Sequence, residues 1–433
     1  MFAPQPGRRA RSRLSEKSAS VVSRSVLPMG RALRRGGAKK AALALVHNAE
    51  LPAERGGMPP RIARFLETAE LPSPCLVVDV DLVAHNFMAL AQAVPAARVF
   101  YAVKANPARE ILARIADLGA CFDTASLGEI DLVLSLGVGP ERISYGNTIK
   151  KQRDIAAAFA RGVRLFAFDS AGELDKLAES APGARVYCRV LTDGAGAEWP
   201  LSRKFGCEAA MAEELLFQAA GRGLEAYGIS FHVGSQQTDL AQFDRALEVT
   251  AGLFERLAAR GVTLRMIDLG GGFPARYRSE VPSFAAYGEA IRDSLHRRFG
   301  ADLPDLIIEP GRGVVGDAGV IQAEVVLVSR KGGEDDRRWV YLDVGKFHGL
   351  AETMDEAIKY RLLTTHDGGE SAPVVLAGPT CDSADILYEK SDCRLPLALK
   401  PGDRVWILAT GAYTTTYSAV AFNGFPPLAS VCI

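Results

Sequence analysis

Two residues with side chains that could take part in catalysis, Lys104 and Glu309, each lie at the end of a hydrophobic run of this chain. An ammonium group among apolar side chains is costly unless it is paired. Burial also lowers the pKa of a lysine and frees its amine for imine formation with a carbonyl group. We therefore predict that Lys104 is a nucleophilic amine. A structural ion pair with Asp123 is the alternative that the spacing leaves open.

Two glycine-rich segments, 268–274 and 309–313, could hold an anion. Their sequences are Asp-Leu-Gly-Gly-Gly-Phe-Pro and Glu-Pro-Gly-Arg-Gly. Consecutive glycines let backbone N–H groups approach an anion without obstruction by a Cβ atom, and Arg312 adds a planar fork of donors. A triple glycine alone is more typical of a tight turn, but the two segments together predict a phosphate site.

Eight short β-rich runs must position these residues. They alternate with stretches of helical periodicity, which is the pattern of repeated βα units around a parallel sheet. Eight units predict an α/β fold with a (β/α)8 barrel, in which the chemistry lies at the C-terminal ends of the strands and a phosphate often lies after the last two. The runs are 99–104, 120–123, 142–147, 165–169, 185–190, 228–235, 264–270 and 305–309.

Each of these runs carries a polar residue at or near its end. The interior of a packed barrel favours branched apolar side chains, so a polar ring at one rim is costly unless it serves a ligand. One such residue could be a helix cap, but eight in register predict a ligand site. The eight residues are Lys104, Asp123, Asn147, Asp169, Arg189, His232, Asp268 and Glu309.

Beyond Glu309 the helical rhythm fades, and strands separated by Gly, Pro and Asp turns follow. This pattern predicts a C-terminal, mostly antiparallel β domain, which the segment 74–79 before the barrel joins. We place the barrel at 81–315 and the β domain at 58–80 plus 316–433. The predicted strands of this domain are 320–328, 338–343, 374–377 and 404–409.

Residues 1–57 have a composition unlike the rest of the chain, with 12 Lys and Arg against 3 Asp and Glu. We predict a disordered basic extension, or a start codon assigned too far upstream. An Arg-rich, acid-poor targeting peptide is the less favoured alternative.

The composition of the whole chain is that of a globular protein, with 48% hydrophobic residues, 24% charged residues and a formal net charge of zero. These values exclude a wholly disordered chain and a nucleic-acid binder with a basic surface. The seven cysteines form no C-x-x-C pair, so we predict a reducing, cytoplasmic environment. No apolar run approaches the ~20 residues that cross a bilayer. We predict no membrane, nucleic-acid or metal partner.

Seven segments, in this order, resemble the motifs of pyridoxal-phosphate-dependent decarboxylases with the alanine-racemase-like fold. Within that group the chain most resembles the ornithine/lysine decarboxylases, and the resemblance covers residues 60–433. It implies a barrel that binds pyridoxal 5'-phosphate and a C-terminal β domain. The segments are 101–107, 122–126, 231–235, 268–274, 309–312, 378–385 and 411–413.

The resemblance implies a role for each residue at a matching motif position. Lys104 would attach the cofactor covalently, with Asp123 beside it, and His232 would stack on the cofactor ring. Arg189 would lie near the phenolic oxygen of the ring. The residues that would hold the phosphate are Gly270, Gly271, Gly272, Gly311, Arg312 and Tyr413, with Ser235 assisting.

Glu309 would face the pyridine nitrogen of the cofactor. Decarboxylation leaves a carbanion, and the ring absorbs that charge only if its nitrogen is protonated. A carboxylate about 4 Å from the N–H⁺ is worth about 4 kcal/mol at an effective dielectric of about 20, or about 3 pKa units. A racemase would prefer Arg at this position, so Glu309 favours decarboxylation.

The resemblance also implies that Cys381 returns a proton to the carbanion from the neighbouring subunit, so that a homodimer shares its active sites. Asp382 and Asp343 resemble the carboxylates that receive the distal ammonium of a basic amino acid, although Lys346 close to Asp343 counts against that second role. Outside the motif, such Cys and Asp residues are usually structural. The segment 422–425 resembles an aromatic element of the subunit interface, with core packing as the alternative.

The implied function is decarboxylation of L-ornithine, L-lysine or both, to putrescine and cadaverine, in polyamine biosynthesis. The implied catalytic residues are Lys104, His232, Glu309 and Cys381. The two substrates differ by one methylene, worth only ~1–3 kcal/mol in a pocket, and no residue decides between them. A diaminopimelate decarboxylase is an alternative, but it has Glu where this chain has Asp382. Another is an inactive homologue that regulates polyamine synthesis, which should have lost the lysine or the Cys-Asp pair.

Overall fold

The structure is a computed structural model that describes residues 57–199, 204–332 and 335–433. The basic N-terminal stretch, apart from Gly57, lies outside the described residues. Within the described ranges, no helix has both the length and the apolar character that a membrane span requires.

Eight parallel strands form a closed barrel, preceded by strand β1 (Cys75–Val78). All eight predicted runs contribute a strand, so the predicted barrel is confirmed. Two short strands between them, β7 (Ala197–Trp199) and β9 (Ser235–Gln237), form an antiparallel ribbon. The barrel strands are β2 (Ala97–Ala102), β3 (Cys121–Thr124), β4 (Ile143–Tyr145), β5 (Leu165–Phe168), β6 (Arg185–Arg189), β8 (Glu225–Ser230), β10 (Met266–Asp268) and β11 (Asp305–Ile308).

Helices connect the barrel strands, and the chain marks several of their starts with a capping side chain. Asp79, Ser126, Ser170 and Ser283 each accept a hydrogen bond from a backbone N–H in the first turn of the following helix, which stabilises the helix start. The helices are α1 (Pro60–Leu66), α2 (Val80–Ala93), α3 (Arg109–Asp117), α4 (Leu127–Leu134), α5 (Gln152–Ala160), α6 (Ala171–Ser180), α7 (Ala209–Gly221), α8 (Ala241–Ala259), α9 (Phe284–Phe299) and α10 (Arg312–Val315).

The barrel interior is packed rather than open. A cluster of buried side chains contributed by seven of its strands fills it, as expected for a barrel that is a core and not a pore. Because this packing fills the interior, a ligand site must lie at a rim of the barrel rather than inside it. The cluster consists of Phe100, Cys121, Ala167, Tyr187, Tyr227, Met266 and Ile307.

The C-terminal half forms a nine-stranded sheet that β1 joins, pairing with both the first and the last strand of that half. Two of its strand pairings are parallel. Strand β1 pairs with the last strand, Ala429–Cys432, and the strand Asp335–Leu342 pairs with Ser371–Ala377. The predicted mostly antiparallel β domain is therefore confirmed as a fold class. The strands are β12 (Gly319–Gly332), β13 (Asp335–Leu342), β14 (Leu362–Thr364), β15 (Ser371–Ala377), β16 (Ile386–Tyr388), β17 (Arg394–Pro396), β18 (Arg404–Leu408) and β19 (Ala429–Cys432).

Short 3₁₀ turns connect the remaining segments, and three of them border the functional site described next. One follows β2 and carries Lys104, and two others, in the C-terminal half, carry Glu352 and Tyr417. The turns are Val103–Ala105, Pro140–Arg142, Ala351–Glu356, Thr415–Tyr417 and Phe422–Gly424.

Candidate active site

Most of the predicted site residues meet at one cavity of about 260 Å³ at the C-terminal ends of the barrel strands. Asp123 and Gly270 do not line it, but Asp123 contacts the lining residue Lys104, and Gly270 precedes the lining residue Gly271. Concave sites of this kind, with a few convergent polar groups, are the usual place for a small ligand. The predicted residues that line the cavity are Lys104, Asn147, Arg189, His232, Ser235, Gly271, Gly272, Glu309, Gly311, Arg312 and Tyr413.

Lys104 enters the cavity from the turn after β2, and its Nζ atom lies 2.9 Å from Oδ2 of Asp123. The lysine side chain is half exposed to the cavity, whereas Asp123 is buried. Burial acts to lower the pKa of Lys104, but the charges of Asp123, Tyr413 and Glu309 outweigh it and raise the pKa above its usual value. The predicted lowering of the Lys104 pKa is therefore wrong for the protein without cofactor. The alternative that the spacing allowed, an ion pair between Lys104 and Asp123, is present.

The second carboxylate oxygen of Asp123 has no hydrogen-bond partner among the described residues. It lies against Gly146, where an added Cβ atom would overlap it. The phenolic oxygen of Tyr187, which is also buried, lies nearby. The space for the Asp123 carboxylate therefore depends on the absence of a side chain at residue 146.

Glu309 follows β11 and shares a hydrogen bond with Asp268, the last residue of β10. Burial raises the pKa of Asp268 to about 7. Burial, together with the charges of Asp123 and Asp268, raises the pKa of Glu309 well above its usual range. Because like charges at close range cannot both ionise easily, this pair retains a proton near neutral pH.

His232 follows β8 and is held in one orientation, because its Nδ1 atom accepts a hydrogen bond of 3.0 Å from the backbone N–H of Gly234. Burial, followed by the charges of Arg189 and Lys104, lowers the pKa of His232 well below its usual value. The imidazole is therefore neutral, with its proton on Nε2. A neutral, fixed ring has the properties needed to cover the face of a flat ligand.

Three glycines after β10 form the floor on the phosphate side of the predicted site. Gly270 and Gly272 have φ values of +65° and +104°, a region that favours glycine. An added Cβ atom at Gly270 would overlap the carbonyl oxygen of Phe231, and one at Gly271 would lie 2.8 Å from the carbonyl oxygen of Glu309. Any side chain would therefore displace the backbone of a neighbouring strand end.

Arg312 is 3% exposed, and protein acceptors use all of its donor atoms. Its Nη1 and Nη2 atoms donate to the two carboxylate oxygens of Glu352 at 2.7 and 2.6 Å. Nη1 also donates to the hydroxyl of Tyr277 at 2.6 Å. Nε and Nη2 donate to Ser235 at 3.2 and 3.1 Å. The predicted anion receptor is thus already paired with a buried carboxylate.

Glu352 and Tyr277 are partners of Arg312 that were not predicted from the sequence. Glu352 lines the cavity and is 3% exposed, but it lies on a turn of the C-terminal half, outside every motif. Tyr277 follows the glycine-rich segment 268–274 but belongs to none of the seven motifs. Only their contacts with Arg312 identify them.

Tyr413 enters the cavity from the C-terminal half with a φ of +56°. Its backbone N–H donates to the carbonyl oxygen of Ala105 at 2.8 Å, and its ring centroid lies 4.9 Å from Cζ of Arg312. The tyrosine therefore joins the Lys104 turn to the arginine.

Cys381 and Asp382 do not reach the cavity of their own chain, and both are exposed. The backbone N–H of Cys381 donates to the side chain of Asn423 at 3.0 Å, and Asp382 accepts from the N–H of Ala384 at 2.8 Å. The two residues are thus held on the surface by local contacts, next to the segment 422–425.

The predicted substrate contact of Asp343 is wrong for this cavity, because the structure places the residue elsewhere. Oδ1 of Asp343 accepts from the N–H of Glu324 at 2.9 Å, and the N–H of Asp343 donates to the carbonyl of Glu324 at 3.0 Å. This reciprocal pair fastens the end of β13 to β12. Lys346 is also outside, in a neighbouring depression that it shares with Met354 and Tyr417.

The residues around the cavity fit pyridoxal phosphate. An amine, a neutral imidazole and a protonatable carboxylate converge on one space, and the glycine floor leaves room for an anion. A lysine for covalent attachment and a carboxylate for the ring nitrogen are the groups that this cofactor requires.

Comparison with known proteins agrees with this fit. Residues 80–316 match the family model described as "Pyridoxal-dependent decarboxylase, pyridoxal binding domain". The lysine/ornithine decarboxylase of Selenomonas ruminantium is 38% identical over 82% of this chain and 88% of its own length. A structure of lysine/ornithine decarboxylase from Vibrio vulnificus, complexed with cadaverine, is 30% identical with a TM-score of 0.77, covering 87% of this chain and 99% of that one.

A protein described as antizyme inhibitor 2, from Xenopus laevis, is also similar, with 32% identity over 81% of this chain and 78% of its own length. Relatives with different names thus have similar levels of identity to this chain, so identity alone does not assign its substrate. On the extent of the model match and of these identities, the chain belongs to the family of pyridoxal-dependent decarboxylases.

Proposed function

We propose that this chain decarboxylates L-ornithine, L-lysine or both, yielding putrescine and cadaverine, with pyridoxal 5'-phosphate held at Lys104. The observation that carries the proposal is the presence of Lys104 and Glu309 in one cavity with a glycine floor. The names of the Selenomonas and Vibrio relatives support this substrate class.

The bound cofactor supplies an electron sink for the carbanion that remains after loss of CO₂. Glu309 serves that chemistry because its buried carboxylate lies beside the negative charges of Asp123 and Asp268, which the charge of Lys104 offsets only in part. A protonated ring nitrogen would provide the missing counter-charge and hold Glu309 ionised. His232 and the three glycines orient the cofactor, while Asp123 keeps a proton on Lys104 in the free protein.

A second subunit would complete the site. Cys381 and Asp382 are exposed, and the nearby Ala384 lines a depression with two exposed apolar side chains, Met354 at 51% and Tyr417 at 47%. Apolar surface of this kind is typical of subunit interfaces. We propose a homodimer in which Cys381 returns a proton to the product carbon and Asp382 receives the distal ammonium of the substrate in the partner's cavity.

The segment 422–425 would form part of the same interface. Phe422 packs on Phe347 at 4.7 Å between ring centroids, and Phe425 packs on His348 at 4.9 Å. Both phenylalanines remain half-buried. Their unburied faces would contact the second subunit.

We further propose the domain division 81–315 for the barrel and 58–80 plus 316–433 for the β domain. The pairing of β1 with β12 and β19 supports it, because β1 then belongs to the C-terminal sheet although it precedes the barrel.

The activity is tested by incubating the purified protein plus pyridoxal phosphate with ornithine, lysine, arginine and diaminopimelate separately, and measuring CO₂ from each. We expect CO₂ from ornithine or lysine. Release from diaminopimelate alone would favour a dicarboxylate substrate, and release from none would favour an inactive regulatory homologue. This chain retains Lys104, Glu309 and Cys381, which argues against the last outcome.

Substitution of the proposed attachment residue, Lys104→Ala, should abolish the near-visible absorbance of the bound cofactor together with activity, because the covalent link is lost. Lys151→Ala, at an exposed lysine outside the cavity, is the matched control and should retain both. Persistence of the absorbance in Lys104→Ala would show that another group holds the cofactor.

A further inference from the structure

The feature that the proposed function leaves unexplained is the buried pair of Arg312 and Glu352. Both side chains are 3% exposed, and the shortest of their contacts is 2.6 Å. The two charges of this pair cancel locally. A site that holds a phosphate group needs donors and positive charge, so full neutralisation of its arginine requires a reason.

The geometry leaves Arg312 no spare donor. A guanidinium carries five N–H bonds: one on Nε, which Ser235 accepts, and four on the two Nη atoms, which Glu352, Tyr277 and Ser235 accept. An incoming phosphate oxygen can therefore reach Arg312 only by sharing or replacing one of these acceptors.

Glu352 is the acceptor in this set that carries a charge. It lines the cavity, so a phosphate bound beside Arg312 would lie close to a carboxylate in a poorly solvated space. Like charges at such a distance repel strongly. Ser235 and Tyr277 are neutral hydroxyls and bring no such repulsion.

Resting on the proposed function, we propose that Glu352 is a positioning residue that competes with the cofactor phosphate for Arg312. In the free protein it neutralises the buried arginine and stabilises the fold. When the phosphate binds, the same carboxylate lowers the affinity of the site. Glu352 thus sets how tightly the protein retains its cofactor, without touching the reacting atoms.

The test uses the full-length protein freed of cofactor, with inorganic phosphate as the probe and binding measured by calorimetry and by the shift of the melting temperature. Glu352→Gln removes the charge and keeps the shape. We expect a dissociation constant for phosphate lower by about tenfold, together with a lower melting temperature before phosphate is added, because Arg312 loses its counter-charge.

Tyr277→Phe is the matched control, because it removes a neutral acceptor from the same Nη1 atom and leaves the charge of the pair unchanged. Its phosphate affinity should stay within about twofold of the wild type. Glu352→Asp keeps the charge but shortens the side chain by one methylene. Glu352→Asp is the second variant in case Glu352→Gln does not fold. Its phosphate affinity should exceed that of the wild type by a smaller factor than in Glu352→Gln.

Unchanged or weaker phosphate binding in Glu352→Gln, or in Glu352→Asp if the first does not fold, would overturn the proposal. An equal gain in Tyr277→Phe would overturn it too, because charge would not be the cause. These results are independent of the proposed activity, since phosphate binding needs neither Lys104 nor an amino acid substrate. Failure of the CO₂ assay would leave them standing.

Discussion

The carboxylate of Asp123 occupies space that residue 146 leaves free. Gly146→Ala should therefore displace Asp123, break its contact with Lys104, and lower kcat/KM by more than about tenfold, since misplacement of a site residue is costly. Steady-state kinetics, with a spectroscopic pH titration of the bound cofactor, would measure both effects.

Gly172 provides the matched control, because nothing lies within 4 Å of an added Cβ atom at that position on α6. Gly172→Ala should leave the kinetics unchanged and stabilise the helix slightly. Equal kinetics in the two variants would show that the contact between Asp123 and Gly146 has no bearing on the site.

The pair of Asp268 and Glu309 gives the cofactor-free protein a dependence of stability on pH. The pKa of Asp268 is raised to about 7, whereas the unfolded chain releases that proton near pH 4. The stabilisation is fully present below pH ~4 and is lost as the pH rises through the folded pKa. Relative to Asp268→Asn, the wild type should lose at most about 1.4 kcal/mol of unfolding free energy per pH unit.

Urea unfolding between pH 5 and 8 measures this difference. Asp302→Asn, at an exposed position, is the control and should follow the wild type at every pH. Parallel curves for the wild type and Asp268→Asn would mean that the shared proton is absent.

At this scale, the residues that lie in motifs at strand ends were predictable from the sequence. Lys104, His232 and Glu309 lie in the cavity because each follows a barrel strand whose hydrophobic run is readable. Glu352 was not reachable, since its role arises from a contact across 40 positions of the chain. Asp343 was predicted in the cavity, but its motif does not reveal that its carboxylate accepts a hydrogen bond from Glu324 of β12.

Two loops of the C-terminal half meet on one buried carboxylate, that of Asp385. It accepts hydrogen bonds from the N–H of Lys346 at 2.8 Å and from the N–H and hydroxyl of Thr380 at 3.1 and 2.7 Å. Gly345 and Gly378 leave room for it. The loop that presents Cys381 is therefore fixed by this residue.

Asp385→Ala should lower the free energy of unfolding by about 1–3 kcal/mol, because buried N–H donors lose their acceptor. Amide hydrogen exchange at residues 378–382 should also accelerate. Denaturant unfolding combined with exchange mass spectrometry would measure both, with Asp392→Asn, at an exposed site, as the control. Unchanged exchange would show that other contacts hold the loop.

At the scale of elements, the barrel was predictable because its strands are continuous apolar runs between amphipathic helices. The short strands β14, β16, β17 and β19 were not, since, unlike the equally short barrel strands, they do not alternate with amphipathic helices. The 3₁₀ turns, including the one that carries Glu352, were not predicted because three to six residues carry too little periodicity.

At the scale of the whole molecule, the proposed sharing of sites between two subunits can be tested by mixing two inactive parents. Lys104→Ala lacks the attachment residue and Cys381→Ala lacks the proposed proton donor. If the sites are shared, exchange of subunits leaves one intact site in each mixed dimer, and activity should recover to about a quarter of the wild type.

Activity after mixing is the measurement, with each parent alone as its control and sedimentation to establish the dimer. A mixture no more active than its parents, in a sample that exchanges subunits, would show that each chain completes its own site.

Strand β1 has a consequence for the order of assembly. Among the described strands it leaves the ribosome first, yet its two sheet neighbours, β12 and β19, are made after the entire barrel. All four of its residues are buried in the finished protein. During synthesis this apolar segment stays unpaired and prone to stick to other nascent chains, so the earliest strand to emerge is the one whose pairing is completed last.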